Sequence, residues 1–329
     1  MNIKESYSRV EYRMYEPHDY QSYRNFCEDH FGKNNYQLNQ SYLEWLYDET
    51  HNNFLVALYE NKVIGIMHNF KAPILINEEY KLVTVLHDLM VDDNYKGAGL
   101  PLMQNGLKSD EYAVLPGALG RISRAYRRLG SKSFNSFWYR KFQLPRSFFT
   151  SSKIKSLINH KDLALKQDLF FGHNKEENSD LFNKALKKYQ SINLFTQYFK
   201  WRFFNKKSPL TFYVTDQEGE NTALFIIGKR GFLPYVRIFY THSINPSVFK
   251  KIIKFIETIT SRSGIPVILF TSFESSPPED FSYKIYTDMP ISYVYSKLKN
   301  HDFVATVPTF CSDIGFDGYN FLNDFDKNE

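Results

Sequence analysis

The stretch from Lys81 to Lys108, KLVTVLHDLMVDDNYKGAGLPLMQNGLK, predicts a strand, a polar turn and a helix in direct succession. The strand is rich in Val and Leu and ends at Val91, and the turn after it contains Gly97 and Gly99. A proline stands early in the helix, where its missing N–H sacrifices no intrahelical hydrogen bond. The order of strand, turn and helix is therefore well marked.

The N-terminus of this helix is suited to bind an anion. The glycines allow the backbone N–H groups from Lys96 to Leu100 to converge on one point, where the helix macrodipole is positive. This arrangement predicts a pyrophosphate site. A tight turn without a ligand is the alternative for a Gly-x-Gly pattern taken alone.

A repeated tryptophan segment divides the chain into two similar halves. The segment Tyr42-Leu-Glu-Trp-Leu-Tyr47 returns half a chain later as Tyr198-Phe-Lys-Trp-Arg-Phe203. In both halves it is followed by an apolar strand, a polar turn and a second strand. One period that covers half the chain indicates duplicated domains. Each half predicts a mixed sheet with helices on both faces, which is an α/β (α+β) architecture.

Length and composition are those of a globular protein. The chain has 329 residues, of which 43% are hydrophobic and 17% aromatic, so rings are expected to line a cleft as well as two cores. The two cysteines, Cys27 and Cys311, cannot form a disulfide framework and point to a reducing compartment. Because we find no signal-peptide pattern and no membrane-length apolar run, the sequence predicts a cytoplasmic protein without membrane insertion.

One segment concentrates positive charge. From Tyr112 to Lys161 there are eleven Lys and Arg residues and no Asp or Glu. Such a block predicts an anionic partner, which is a phosphate-bearing small molecule, nucleic acid or an acidic surface elsewhere on the fold. Basic residues are interleaved with the aromatic residues Phe134, Phe137, Trp138, Tyr139 and Phe142, as they are on surfaces that stack single-stranded nucleic acids.

Two motifs, in this order, resemble the GNAT superfamily of N-acetyltransferases. The pattern Val91-x-x-Asn94-x-x-Gly97-x-Gly99 resembles the acyl-CoA-binding motif, and the segment from Ser123 to Gly130 resembles the downstream helix that contains a tyrosine. The tryptophan repeat is similar to a GNAT subgroup of surface-polysaccharide biosynthesis that carries two such domains in tandem. The resemblance implies a mixed-sheet GNAT fold, with an acyl-CoA-binding domain at 1–150 and a degenerate GNAT-like domain at 151–329 that shapes the acceptor pocket.

The resemblance also implies that acetyl-CoA is the acyl donor. Its pantetheine arm would hydrogen-bond the strand backbone, and its pyrophosphate would lie on the turn. The residues expected to bind it are Leu89, Met90, Val91, Asn94, Tyr95, Lys96, Gly97, Ala98, Gly99 and Leu100. Asn94 departs from the usual Gln or Arg, which shortens one side chain near the phosphates. No such turn follows Thr241 in the second half, so one cofactor site is expected.

Three residues are candidates for acid–base catalysis. Tyr126 stands where many GNAT members place the acid that protonates the CoA thiolate, although its helical face also predicts a structural role. His87 is either a base or a hydrogen-bonded core histidine, and Asp88 either anchors the substrate amine or accepts from an arginine. Because neighbouring strand residues face opposite sides, at most one of these two is expected in the cleft.

Other candidates concern the acceptor. Glu44 and Asp313 are expected to bind it together with Asp88, and a solvated helix residue is the alternative for Glu44. The scattered histidines predict no metal site, and no nucleophile motif is present.

These features predict an N-acyltransferase in which an amine attacks the thioester directly. The expected acceptor is a small-molecule amine, an amino sugar that is nucleotide-linked or part of a surface glycan. The alternative function is a nucleic-acid-associated protein, either a binder or a tRNA-dependent aminoacyl transferase of the tandem GNAT-like type.

Overall fold

The computed structural model describes residues 9–33, 36–38, 40–46, 54–108, 110–118, 120–134, 137–146, 153–175, 198, 201–202, 208, 210–230, 233–272, 284–286, 291–298 and 303–306. Their contacts form two compact units. The first unit contains the described residues of 9–134 and 291–306, and the second contains those of 137–286. The two units therefore have different boundaries from the contiguous domains 1–150 and 151–329 that the sequence predicts.

The first unit begins with a strand, two helices and three more strands. In chain order its elements are β1 Glu11–Met14, α1 Tyr20–Phe31, α2 Gln40–Leu46, β2 Phe54–Tyr59, β3 Lys62–Ile76, β4 Glu79–Val91, α3 Gly99–Gly106, β5 Tyr112–Ala118, α4 Gly120–Arg128 and β6 Lys132–Phe134. Short 3-10 turns at Pro17–Asp19, Tyr36–Leu38 and Asp93–Ala98 lead into α1, α2 and α3.

The second unit has a similar set of elements. Its elements are β7 Phe137–Phe142, α5 Lys153–Ile158, α6 Lys161–Leu165, β8 Phe170–His173, β9 Phe212–Thr215, β10 Thr222–Arg230, β11 Leu233–His242, α7 Pro246–Arg262, β12 Val267–Ser272 and β13 Lys284–Tyr286. The chain then returns to the first unit with β14 Ile291–Ser296 and β15 Ala305–Thr306.

The two sheets have the same strand order. The first runs β1-β2-β3-β4-β5-β14-β6, with β15 on β3, and the second runs β8-β9-β10-β11-β12-β7-β13. In each sheet one parallel pair, β4–β5 or β11–β12, lies among antiparallel pairs. The sixth position of each sheet is filled by a strand that is distant in sequence from its neighbours, which is β14 in the first sheet and β7 in the second. The strands β7 and β14 are thus exchanged between the sheets. The tandem mixed-sheet architecture predicted from the sequence is confirmed.

Both faces of the first sheet are covered by helices. On β2 the side chains of Leu55 and Ala57 pack in one cluster with α3, whereas Phe54 and Val56 pack in another with α1. The strand is therefore apolar at nearly every position instead of alternating. In the second unit α7 buries its isoleucine-rich face in the core of the second sheet.

Two segments pair in ways that the sequence does not predict. The short strand Ala305–Thr306 joins β3 of the first sheet. The aromatic and basic segment Phe137–Phe142 forms β7 of the second sheet. No helix among the described residues is long and apolar enough to span a membrane.

Candidate active site

The parallel strands β4 and β5 separate soon after they meet. They pair only at Thr84 with Ala113 and at Val85 with Val114, whereas β4 stays paired with β3 up to Val91. In the described chain, the β5-facing edge of the last residues of β4 therefore has no ladder partner. An unpaired strand edge offers N–H and C=O groups to an extended ligand. Leu89, Met90 and Val91, predicted to bind the cofactor, lie on this edge and are half-buried.

A set of polar side chains fixes the point where the two strands separate. The ammonium group of Lys71 donates to Thr84 Oγ1 over 2.9 Å, and both side chains hydrogen-bond the carboxylate of Asp110. Asp110 lies just before β5, so these bonds tie the start of β5 to β3 and β4. The gap between β4 and β5 therefore begins at a fixed position, directly after Val85.

The turn after β4 contains a helix N-terminus. Tyr95 has φ −124° and ψ 33°, which breaks the 3-10 turn, and the chain becomes helical again from Lys96 into α3. No side chain caps α3, because the preceding residue is Ala98. The positive end of this helical segment therefore remains available to an anion.

The side chains around this turn leave its outer surface open. Asn94 is exposed, and its N–H is held by the Asp92 carboxylate at 2.7 Å. Lys96 is also exposed and forms an ion pair with Asp93 at 3.2 Å. Leu100 is 49% exposed, whereas Ala98 is buried. Gly99 has ordinary helical dihedrals, so its lack of a side chain is not required by the backbone.

His87 and Asp88 do not lie on opposite faces of β4. The β3–β4 register shifts between Ile66 and His68, so β4 carries one extra residue there, and Asp88 adopts a φ of +51°. This β-bulge turns the Asp88 carboxylate toward the side of His87. The expectation that the two side chains face opposite sides of β4 is therefore wrong, because strict alternation applies only to a regular strand.

A third residue, His68 of β3, joins them. Asp88 Oδ2 lies 3.1 Å from His68 Nδ1 and 3.2 Å from His87 Nδ1, and Tyr23 of α1 hydrogen-bonds His68 Nε2 at 3.2 Å. Burial raises the pKa of Asp88 to about 8 and lowers the pKa of His87 to about 3. Burial, together with the nearby His87, lowers the pKa of His68 well below its usual value. Both imidazoles are therefore neutral.

This cluster is the one group among the described residues whose ligand-type atoms are close enough to hold a metal ion. Sequence reasoning missed His68, because its position beside His87 depends on the pairing of two strands and on the bulge. The catalytic roles of His87 and Asp88 stay predictions.

Tyr126 lies inside the first unit's core. Its side chain is 5% exposed, and its ring meets that of Tyr293 edge-on at 5.5 Å. Burial raises the pKa of its phenol to about 12. The same apolar cluster includes Leu89, Val91 and Tyr95, so Tyr126 packs with the strand and turn predicted to bind the cofactor.

Two further residues, Glu44 and Asp313, were predicted to bind the acceptor. Glu44 is exposed on α2, where its carboxylate accepts from Gln40 Nε2 at 3.0 Å. Asp313 lies outside the described residues. The roles predicted for both stay predictions.

The second unit differs at the position that corresponds to the turn. After β11, the side chain of Asn245 caps α7 by accepting from the N–H groups of Ser247 and Val248 at 3.0 and 3.5 Å. A side-chain cap occupies the donors that an anion would otherwise use. The α-helix that follows the fourth strand therefore has no side-chain cap in the first unit and has one in the second.

Comparison with known proteins identifies the fold. No protein-family model and no curated protein match the sequence. A GCN5-related N-acetyltransferase from Kribbella flavida matches with a TM-score of 0.57 at 8% identity, over 87% of this chain and 71% of that chain. One from Anabaena variabilis matches with a TM-score of 0.56 at 14% identity, over 87% and 72%.

A third match is the GCN5-related glucosamine N-acetyltransferase region of a fungal multidomain β-N-acetylglucosaminidase. Its TM-score is 0.52 at 13% identity, over 86% of this chain and 38% of that chain. The chain therefore has the fold of the GCN5-related N-acetyltransferases.

Proposed function

We propose that the first unit binds acetyl-CoA and transfers its acetyl group to an amine. The observation that carries this proposal is the early separation of β4 from β5 next to an uncapped helix N-terminus. An extended arm with amide groups fits the free edge of β4, and a pyrophosphate fits the positive end of the helix. Acetyl-CoA carries both groups on one molecule.

The reaction needs little covalent chemistry from the protein. The amine nitrogen attacks the thioester carbon, the carbon–sulfur bond breaks, the nitrogen loses a proton and the sulfur gains one. Alignment along β4 and hydrogen bonds to the developing charges would supply most of the acceleration. We assign the proton donor on the sulfur side to Tyr126.

One cofactor site per chain is part of the proposal. The Asn245 side chain satisfies N–H groups of α7, and β11 and β12 pair over four positions, twice as many as β4 and β5. The second unit would therefore act in shaping the acceptor pocket. Calorimetry with acetyl-CoA is expected to give a stoichiometry of one.

For the acceptor we propose an amino sugar. The exposed cations Arg124 and Arg128 of α4 could bind phosphates of the cofactor or of a nucleotide-linked sugar, and aromatic residues at 17% of the chain suit flat sugar faces. The fungal enzyme region of the same fold is described as acting on glucosamine. These features support an amino sugar over other amines.

The direct test is release of free thiol from acetyl-CoA in the presence of candidate amines. Nucleotide-linked amino sugars, free hexosamines, aminoglycosides and peptides form the panel. Acceptor-dependent thiol release with amino sugars supports the whole proposal, and release with another amine supports the transferase alone. If acetyl-CoA does not bind, the proposal fails.

Gly99→Val tests the cofactor turn. A Cβ at Gly99 would lie 3.5 Å from Val91 Cγ2, an ordinary contact, so the folded chain accommodates a side chain there. The branched side chain would instead crowd a phosphate at the helix N-terminus. We expect acetyl-CoA affinity to fall at least about tenfold, with a melting temperature close to that of the wild type. Calorimetry and thermal unfolding measure both quantities.

Gly106→Ala is the matched control. A Cβ at this position would overlap Met67 Cε and lie 3.0 Å from Leu86 Cδ2, so overpacking lowers the stability by about 1–3 kcal/mol. Affinity per folded molecule should remain unchanged. Unaltered binding by Gly99→Val would place the phosphates away from this turn.

A further inference from the structure

Two imidazoles and one carboxylate meet inside the first unit. The side chains of His68, His87 and Asp88 are 0%, 2% and 7% exposed, and their nearest nitrogen and oxygen atoms all lie within 4.8 Å of one another. His68 and His87 are directly opposite on β3 and β4, with ring centroids 5.6 Å apart. The cluster therefore has a fixed backbone frame on two paired strands.

Two members of the cluster, His87 and Asp88, are incompletely paired. In the described chain neither ring nitrogen of His87 has a hydrogen-bond partner, because the 3.2 Å approach of Nδ1 to Asp88 Oδ2 is poorly aligned. No Lys or Arg described in the structure forms an ion pair with Asp88. A buried imidazole without partners and a buried carboxylate without a cation are both costly.

The backbone is strained at the same place. Asp88 has a φ of +51°, in the left-handed region that residues with a side chain uncommonly adopt. That conformation directs the carboxylate toward the two histidines. Backbone strain that brings potential metal ligands together indicates a binding site more than ordinary core packing.

We propose that His68, His87 and Asp88 form a binding site for a divalent transition-metal ion of the zinc type. Zinc bonds of about 2.0–2.2 Å place tetrahedral ligand atoms about 3.3 Å apart, close to the 3.1 and 3.2 Å from Asp88 Oδ2 to the two histidines. Imidazole with carboxylate selects zinc and its neighbours over magnesium and calcium. A water molecule would be the fourth ligand of a bound ion.

Tyr23 orients one of the proposed ligands, His68. Its hydroxyl hydrogen-bonds Nε2 of His68, which leaves Nδ1 as the nitrogen that faces Asp88. Metal-binding histidines are commonly oriented in this way by a partner on their other nitrogen. A bound ion gives His87 a partner and Asp88 a counter-charge. It also occupies the lone pairs that an acid–base role would need, so His87 and Asp88 would be ligands and not the base.

The test measures metal binding on the full-length protein and needs no acyl acceptor. Protein stripped with a chelator is loaded with ZnCl₂, freed of excess metal, and assayed by elemental mass spectrometry and by competition with a chromophoric chelator. We expect one zinc per chain, a melting temperature higher by a few degrees, and no such rise with magnesium at the same concentration. Cobalt should give the visible absorption of a tetrahedral site.

Asp88→Asn is the main variant, because asparagine retains the shape and tolerates a positive φ. It should weaken zinc binding at least tenfold, and His87→Ala should do the same. His160→Ala, in the second unit, should bind zinc like the wild type. Absence of zinc from the wild type, or equal zinc in the wild type and both cluster variants, would overturn the proposal. The test is independent of acyl transfer, so either result can stand without the other.

Discussion

Tyr126→Phe is expected to lower kcat of acetyl transfer about 100-fold while acetyl-CoA affinity and melting temperature stay near their wild-type values. Phenylalanine keeps the edge-on contact with the ring of Tyr293 and loses only the hydroxyl. The hydroxyl matters when negative charge develops on sulfur, so its loss affects turnover more than binding.

The pKa of this phenol refines its role. Burial raises the pKa of Tyr126 to about 12, well above the value of about 8.5 for a thiol. Complete proton transfer to the thiolate is therefore uphill, and the phenol contributes chiefly as a hydrogen-bond donor to the developing charge. Removal of one such donor typically costs about 10²–10³ in kcat.

Tyr293→Phe is the matched control for this prediction. The Tyr293 hydroxyl is buried and shares a 2.6 Å hydrogen bond with Ser123 Oγ, so its loss should lower the stability by about 1 kcal/mol. Its kcat at a permissive temperature should equal that of the wild type. A fully active Tyr126→Phe enzyme would make Tyr126 a packing residue and leave proton delivery to water or substrate.

Residues 1–150 expressed alone are expected not to fold. Without β14, the edge of β5 and the three residues of β6 lose their common neighbour, and the fully buried Tyr293 and Val294 are missing from the core. Each of these side chains contributes about 1.5–3 kcal/mol through burial, and the strand ladder adds more. Such a loss is comparable to the 5–15 kcal/mol of an ordinary domain.

The rescue experiment uses a chain in which a short Gly/Ser linker connects residue 134 to residue 290 and which ends at residue 306. Because β14 is antiparallel to β6, with Val294 opposite Lys132, the new connection is a hairpin. Circular dichroism and thermal unfolding should show a cooperative transition for this chain and none for residues 1–150. Cooperative unfolding of residues 1–150 would show that the exchanged strand is dispensable.

The sequence predicted local features well. Apolar runs, the glycines of the turn and the proline of α3 lie next to one another in the chain, and each acts over a few residues. The strand and turn that carry the candidate cofactor site, together with the tandem fold, could therefore be predicted from the amino-acid sequence.

Features that depend on distant pairing were missed. Nothing in the composition of Ile291–Ser296 tells a strand which of two similar sheets it will join. The bulge at Asp88 is likewise unmarked, because aspartate occurs at both positive and negative φ. His68 can be identified as a site residue only when the pairing of β3 with β4 and the bulge in β4 are both known.

The exchange of β7 and β14 also sets an order of events during synthesis on the ribosome. The first sheet receives its sixth strand only when residue 296 has been translated, long after β6 at Lys132–Phe134 has emerged. At about 5–20 residues per second this delay is on the order of 10–30 s. During that time the edge of β5 has no partner strand in the nascent chain, and an unpaired edge can pair with strands of other chains.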